Sequence, residues 1–209
     1  MLKKGMFWAV VLIASWGLRA EGGVMLGLNA SRLSLSKDLP GTEINTRTGL
    51  RVGGFYSMAL SKHFSLQPEA YFCVKGTDMV EGTLNARYEL SYIEVPLLLK
   101  YTVNPDEALQ LGFLTGPYLA FKTRAVAHYA TSGQSMDVDL DELMKGMDFG
   151  MVLAANCGLR AGSGAILLDL RVNLGFSDIG RNLALLGGDL NNNDTVRNSG
   201  FAVMVGYAS

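Results

Sequence analysis

What the chain has little of narrows it first. It carries 2 cysteines and 2 histidines among 209 residues, too few for a disulfide scaffold or a Cys/His zinc module to organise it. Prolines number 5, which excludes a proline-rich linker protein. Neither sign of charge dominates. There are 18 Lys and Arg against 19 Asp and Glu, without the basic excess that a nucleic-acid partner demands. Beyond residue 20 no apolar run reaches the roughly 20 residues of a membrane-spanning helix. The closest, Ile93 to Leu99, is interrupted by Glu94 and Pro96.

The N-terminus carries a different signal. Lys3 and Lys4 precede the apolar run Met6 to Ala14, and Leu18-Arg19-Ala20 ends on a small residue. The run is too short for a span but has the form of a secretory leader, so residues 1–20 are expected to be a signal peptide and 21–209 the mature domain. No cysteine follows the run, so a lipid anchor is not expected.

From residue 23 onward the dominant period is two, the period of strands. Val24, Leu26 and Leu28 alternate with Met25, Gly27 and Asn29; Ile93, Val95, Leu97 and Leu99 alternate with Tyr92, Glu94, Pro96 and Leu98; Leu168, Leu170 and Val172 alternate with Asp169, Arg171 and Asn173. Eight such segments of roughly 9–13 residues can be marked, close to the 9–11 that a tilted strand needs to cross a bilayer. The expected connections alternate in length: long at about 32–48, 76–87, 123–147 and 177–199, short at 61–63, 103–107 and 161–164. That parity belongs to outer-membrane barrels, whose short turns and long loops lie on opposite sides of the membrane. The expected fold is therefore all-β, an eight-stranded antiparallel up-and-down transmembrane β-barrel, closed because lipid tolerates no unpaired sheet edge.

Charge sets the register. The charged residues inside the expected strands are Arg51, Glu69, Lys75, Glu94, Lys100, Lys122, Asp148, Arg160, Asp169 and Arg171, all on the face opposite the large apolar side chains. A cation facing lipid at mid-depth costs about 2–4 kcal/mol, so these residues are expected in the lumen. Eight strands leave room for little more than side chains, and an interior plugged by paired charges, glycines and small polar residues is expected in place of an open pore. Arg51, Glu69, Lys75, Glu94, Lys100, Asp169 and Arg171 are expected to form a lumen charge network, structural in role, with ligand binding as the alternative.

The segments Phe64-Ser65-Leu66-Gln67-Pro68-Glu69-Ala70-Tyr71 and Tyr92-Ile93-Glu94-Val95-Pro96-Leu97-Leu98-Leu99-Lys100-Tyr101 resemble the outer-membrane β-barrel family that includes PorT-like proteins. Gly116-Pro117-Tyr118, Asp148-Phe149-Gly150, Leu170-Arg171-Val172-Asn173-Leu174-Gly175 and Val205-Gly206-Tyr207 extend the likeness in order. The resemblance implies an integral outer-membrane barrel, usually without an assigned activity and in one branch associated with protein secretion. Such barrels tend to end on an aromatic residue, whereas here Ala208-Ser209 follow Tyr207. The implied partners are outer-membrane lipid and lipopolysaccharide, with the barrel-assembly machinery during insertion.

Catalytic chemistry finds little support. His63 and His128 are expected at opposite ends of the barrel. His128 with Ser132, Ser135 and Asp137 has the residue types of a nucleophile–base group, so a loop-borne hydrolase or acyltransferase stands as a further alternative, but spacing alone carries it. Asp137-Val138-Asp139-Leu140-Asp141-Glu142 lacks the glycine and the distal glutamate of a calcium loop. No catalytic residue, metal site or cofactor is expected, and Cys73 (inward) and Cys157 (outward) are expected to be free. Leading expectations are a structural, adhesive or secretion-associated barrel, or a surface binding module using the long loops.

Overall fold

The computed structural model describes residues 20–36, 43–81, 84–131, 134–181 and 194–209; residues 1–19 of the expected signal peptide and residues 182–193 of the expected last loop lie outside them. Nine strands run β1 (Ala20–Leu35), β2 (Glu43–Ala59), β3 (Phe64–Glu81), β4 (Leu84–Thr102), β5 (Leu109–Thr131), β6 (Gln134–Asp139), β7 (Met147–Ala161), β8 (Gly164–Gly175) and β9 (Val196–Ala208). All neighbours pair antiparallel in the order β4-β3-β2-β1-β9-β8-β7-β5, and a β4–β5 pairing closes the ring. Eight strands form the barrel. β6 is the return arm of a hairpin, bound to β5 from Val126↔Asp139 to Thr131↔Gln134.

Closure follows from the seam between the first and last strands, Gly23↔Ala208 through Leu35↔Val196. Both termini of the described barrel therefore lie at one end, together with the three tight connections at 60–63, 103–108 and 162–163. This is the turn end; the opposite one is the loop end.

The partition between faces is the one expected. Leu97, Leu168 and Val203 are 46%, 44% and 40% exposed, whereas Glu94 and Arg171 are 0% and 1% exposed. Exposed Phe64, Tyr101 and Tyr207 ring the turn end, and Phe72, Phe121, Phe149 and Phe201 lie further toward the loop end, as interface aromatics do. Of the ten charged strand residues, Arg51, Glu69, Lys75, Glu94, Asp148, Asp169 and Arg171 are buried and Lys100 and Lys122 half-buried. Arg160 is exposed and donates to the Pro105 carbonyl at the turn end (3.0 Å).

Two expectations need correction. Six of the eight barrel strands are longer than 9–13 residues, reaching 19 in β4 and 23 in β5, so much of three of the four anticipated long loops is sheet. The reason is physical: past the lipid the outward face no longer has to be apolar, and the alternation that marks a strand fades. A bulge also breaks it. Ser91 pairs with Arg124 but Tyr92 with Lys122, so Thr123 is an extra residue. Buried positions then move from Tyr118 and Ala120 to Ala125 and Ala127.

The lumen is also less polar than a filling of paired charges, glycines and small polar residues. Toward the turn end Met25, Tyr71, Leu167, Met204 and Ala208 form one apolar cluster, with Phe55 against it. Toward the loop end a second includes Leu33, Leu90, Tyr92, Tyr118, Leu140, Met144, Ile179 and Val196. Glycines opposite large residues make this filling fit. A Cβ on Gly53 would lie 2.0 Å from the Ala70 carbonyl and 2.6 Å from the Tyr71 ring; one on Gly150 would lie 2.6 Å from the Tyr118 ring.

Candidate functional site: the lumen charge network

Alternation on β2, β3, β4 and β8 delivers the charged side chains to the barrel axis, where two clusters form. In the first, Glu94 on β4 accepts from Arg51 Nη2 at 2.5 Å, Lys75 Nζ at 2.7 Å and Asn173 Nδ2 at 2.9 Å. In the second, Arg171 on β8 donates Nε to Asp169 Oδ1 and Nη1 to Glu69 Oε2, both at 2.7 Å. Gln67 Nε2 adds a 2.8 Å bond to Glu69.

Aromatic faces join the clusters. The guanidinium groups of Arg51 (4.4 Å) and Arg171 (5.2 Å) both lie over the Tyr71 ring. Lys75 sits over Tyr118 (4.9 Å) and Tyr92 (5.4 Å). These contacts supply attraction to cations that are removed from water. Asp148 accepts from the hydroxyls of Ser177 (2.7 Å) and Tyr118 (3.3 Å). Among the described residues the lumen beneath the lid thus holds four cations (Arg51, Lys75, Lys100, Arg171) and four carboxylates (Glu69, Glu94, Asp148, Asp169), while Lys122 pairs with Asp141 at the lid. Balance of this kind is what permits charges to stay buried, since one uncompensated ion costs several kcal/mol.

Six of the seven network residues named from sequence come together. Lys100 does not: it shares the lumen face, but among the described residues it has no carboxylate within 4 Å. Asn29, Gln67, Tyr71, Tyr92, Tyr118, Asn173 and Asn198 were not singled out as site residues. The signal that finds most of them is parity with the charged residues on the same strand.

The loop end is closed by segments outside the barrel wall. Leu140 and Met144, after β6, and Ile179, after β8, are buried with Leu33 and Val196. A Met144↔Gly180 bridge and backbone bonds Lys145 N to Ile179 O (2.7 Å) and Arg181 N to Leu143 O (3.0 Å) tie the two segments. Lys145 Nζ meets Asp178 Oδ2 at 2.5 Å, and Lys122 Nζ donates to the carbonyls of Asp141 (2.5 Å) and Met144 (3.0 Å). Burial pushes the Asp178 carboxyl up, but Lys145 and the amides of Val196 and Gly180 outweigh it and hold the group below its ordinary value. The loop end therefore has a lid.

His63 Nδ1 lies 2.8 Å from the Thr102 carbonyl at the turn end. At the loop end His128 Nδ1 lies 2.7 Å from Asp137 Oδ1 across the β5–β6 hairpin. Ser135 pairs with Ala130, no serine hydroxyl bonds to His128 among the described residues, and Ser132 lies outside them. Among the described residues no three His, Cys, Asp or Glu side chains are placed to share a metal ion. Cys73 is buried in the lumen, Cys157 is half-buried on β7, and both are free.

A closed eight-stranded barrel with an apolar outer band and an ion-paired interior is the architecture of small outer-membrane proteins. The family model of the outer membrane protein beta-barrel domain matches residues 14–181. The chain belongs to that family. The family match is consistent with the PorT-like resemblance without singling that branch out. No curated protein matches the sequence. Among solved structures it is similar to the outer membrane protein OprG from Pseudomonas aeruginosa, at 13% identity and a TM-score of 0.55, covering 91% of this chain and 95% of that one. It is also similar to the outer membrane protease OmpT from Escherichia coli, at 11% identity and a TM-score of 0.51, covering 90% and 95%. At such identities the likeness is one of fold alone.

Proposed function

We propose that this family member is a non-enzymatic outer-membrane anchor that presents its loop-end sheet to a partner outside the cell, in an adhesive or secretion-associated role. The observation that carries the reading is the blocked lumen. The Glu94 and Arg171 clusters, two apolar clusters and a lid fill the axis, which argues against bulk transport. What remains available is the rim. There β4 and β5 stay paired from Ser91↔Arg124 to Asn85↔Ala130 beyond the bulge, and β6 adds to them. Arg47 pairs with Glu89 at 2.6 Å and with Asp78 at 3.5 Å, stiffening the neighbouring β2–β3–β4 extension. A rigid protruding sheet suits recognition, because little ordering cost falls on binding.

In this reading the turn end faces the periplasm. The leader over residues 1–20 exports the chain, the assembly machinery inserts it, and lipopolysaccharide packs on the outer leaflet band. The bond between His128 and Asp137 is assigned to hairpin support instead of catalysis, since both side chains are solvent-accessible and, among the described residues, no nucleophile is bonded to the imidazole. The test is a barrel with residues 126–139 replaced by a short turn. It is expected to insert and to keep its heat-modifiable migration in gels, while losing surface partners that the intact barrel captures by cross-linking. Equal capture by both forms, or steady conductance by the intact barrel in a planar bilayer, contradicts the proposal.

A further inference from the structure

Most cations around the loop end are matched to a carboxylate: Arg47 and Arg87 meet Asp78, Lys122 meets Asp141 and Lys145 meets Asp178. Arg32 of β1 and Arg197 of β9 are not. Among the described residues neither has a carboxylate within 4 Å. Both are exposed. Arg32 lies between buried Ser31 and Leu33, and Arg197 between buried Val196 and Asn198, so strand alternation turns both side chains outward. Asp178 comes near, its Oδ1 accepting from the Val196 amide at 2.9 Å, but its other oxygen holds Lys145. Glu43, at the outer end of β2, and Asp194, before β9, stand further from the apolar band, on the solvent side.

The two arginines occupy adjoining places on the barrel seam. Arg32 pairs with Ser199, and Ser34 with Arg197, so one outward quartet carries two guanidinium groups and two hydroxyls. Diagonal partners of this kind lie roughly 7–8 Å apart, a gap that two arginine side chains can close around one ligand group. Beneath the quartet the same face turns apolar. The next outward pairs down the seam are Ala30↔Phe201 and Leu28↔Val203, with Leu28, Phe201 and Val203 all exposed. Phe201 belongs to the aromatics of the loop-end interface. Arg32 lies two residues beyond its level, about 7 Å of strand, which is headgroup depth.

The chemistry of the quartet and the seam selects the occupant. Guanidinium groups bind phosphate oxygens through paired, charge-assisted hydrogen bonds, and serine hydroxyls can donate to the same oxygens. A free anion would use the arginines alone. A phosphorylated lipid uses the arginines and the apolar strip below them, as basic side chains at a membrane border do.

We propose that Arg32, Ser34, Arg197 and Ser199 form a binding site for the phosphate of an outer-leaflet lipid, whose acyl chains lie along Leu28, Phe201 and Val203. The proposal rests on the outer-membrane reading above, in which the loop end faces out of the cell.

Native mass spectrometry of the full barrel released from detergent tests this with diphosphoryl lipid A as probe. The same lipid stripped of both phosphates, and inorganic phosphate as competitor, are the comparisons. The diphosphoryl form is expected to bind about tenfold or more tightly than the stripped one. Arg32→Gln with Arg197→Gln is expected to weaken that binding by at least about tenfold, and heat-modifiable migration verifies folding; either single variant serves if the double one does not fold. Arg124→Gln removes an exposed arginine from β5, across the ring from β1, and is expected to change nothing. Equal binding of the stripped lipid, displacement by an equal concentration of inorganic phosphate, undiminished binding by the folded variants, or the same loss in Arg124→Gln overturns the proposal. Replacing residues 126–139, the test of the rim reading, is expected to leave lipid binding intact, so the two readings fail separately.

Discussion

The two halves of the lumen are built from the same residue types but resolve their polar groups differently. Toward the turn end the cation Arg171 is held by two carboxylates and Met25, Met204 and Leu167 pack beside Tyr71, with Gln67 Oε1 and the Tyr71 hydroxyl left unpaired. Toward the loop end Glu94 satisfies Arg51 Nη2 and Lys75, yet Arg51 Nε, Asn29 and Asn198 are left with unused hydrogen-bonding capacity. Well-satisfied buried networks rigidify, and incompletely satisfied ones forfeit stability. The turn-end half centres on a cation held by two carboxylates and the loop-end half on a carboxylate held by two cations, and each leaves some polar atoms unpaired.

The strongest way to break the comparison is to remove a carboxylate. Glu94→Ala strands Arg51 and Lys75 in the interior and is expected to cost about 3–5 kcal/mol, read as a large drop in the urea midpoint of refolding into lipid vesicles. An unchanged midpoint would mean that water reaches those cations freely. Reversing the faces comes next. Leu168→Arg places a cation on the outer surface and is expected to cost about 2–4 kcal/mol at mid-depth and less near the interfaces, by the same assay.

A milder perturbation separates lid from barrel. Lys145→Ala removes a half-exposed pair at the lid, so global stability is expected to change by no more than about 1 kcal/mol. Hydrogen exchange at the amides of Val196, Gly180 and Lys145 is nevertheless expected to rise. Exchange confined to baseline would show that the backbone bonds hold the lid alone.

The smallest effect is one of pH. Asp178 has its carboxyl held below the ordinary 3.8, so it binds fewer protons in the folded lid than in an open one. Its contribution is present above 3.8 and is lost as pH falls through the lower folded value. The same amides are therefore expected to keep their protection from neutrality down to about the free carboxylate range near 3.9, and to lose it only below. Loss already near pH 6 would point to another group.

The barrel was legible in the sequence because lipid and lumen impose opposite demands on alternate residues. Leu97 and Glu94 could be assigned to faces without coordinates, and so could Cys73 and Cys157. Above the membrane that demand lapses, which is why the outer stretches of β3, β4 and β5 read as loop and β6 was missed. The extra residue Thr123 hid the continuation further, by moving the buried positions of β5 to the other parity. Within the site, strand parity identified which residues face inward but not which pair. Arg171 and Glu69 are 102 positions apart, and only the register of a closed sheet sets them at one height. Lys100 has the right parity and the wrong height.

The most direct test of the whole account places single spin labels at 97, 168 and 203 in a background lacking both native cysteines, with the barrel reconstituted in bilayers. Accessibility to dissolved oxygen, which concentrates in lipid, is expected to exceed accessibility to a water-soluble nickel complex at all three sites. Labels that collide freely with nickel and are shielded from oxygen would contradict it, because the greasy face would then look inward or into water.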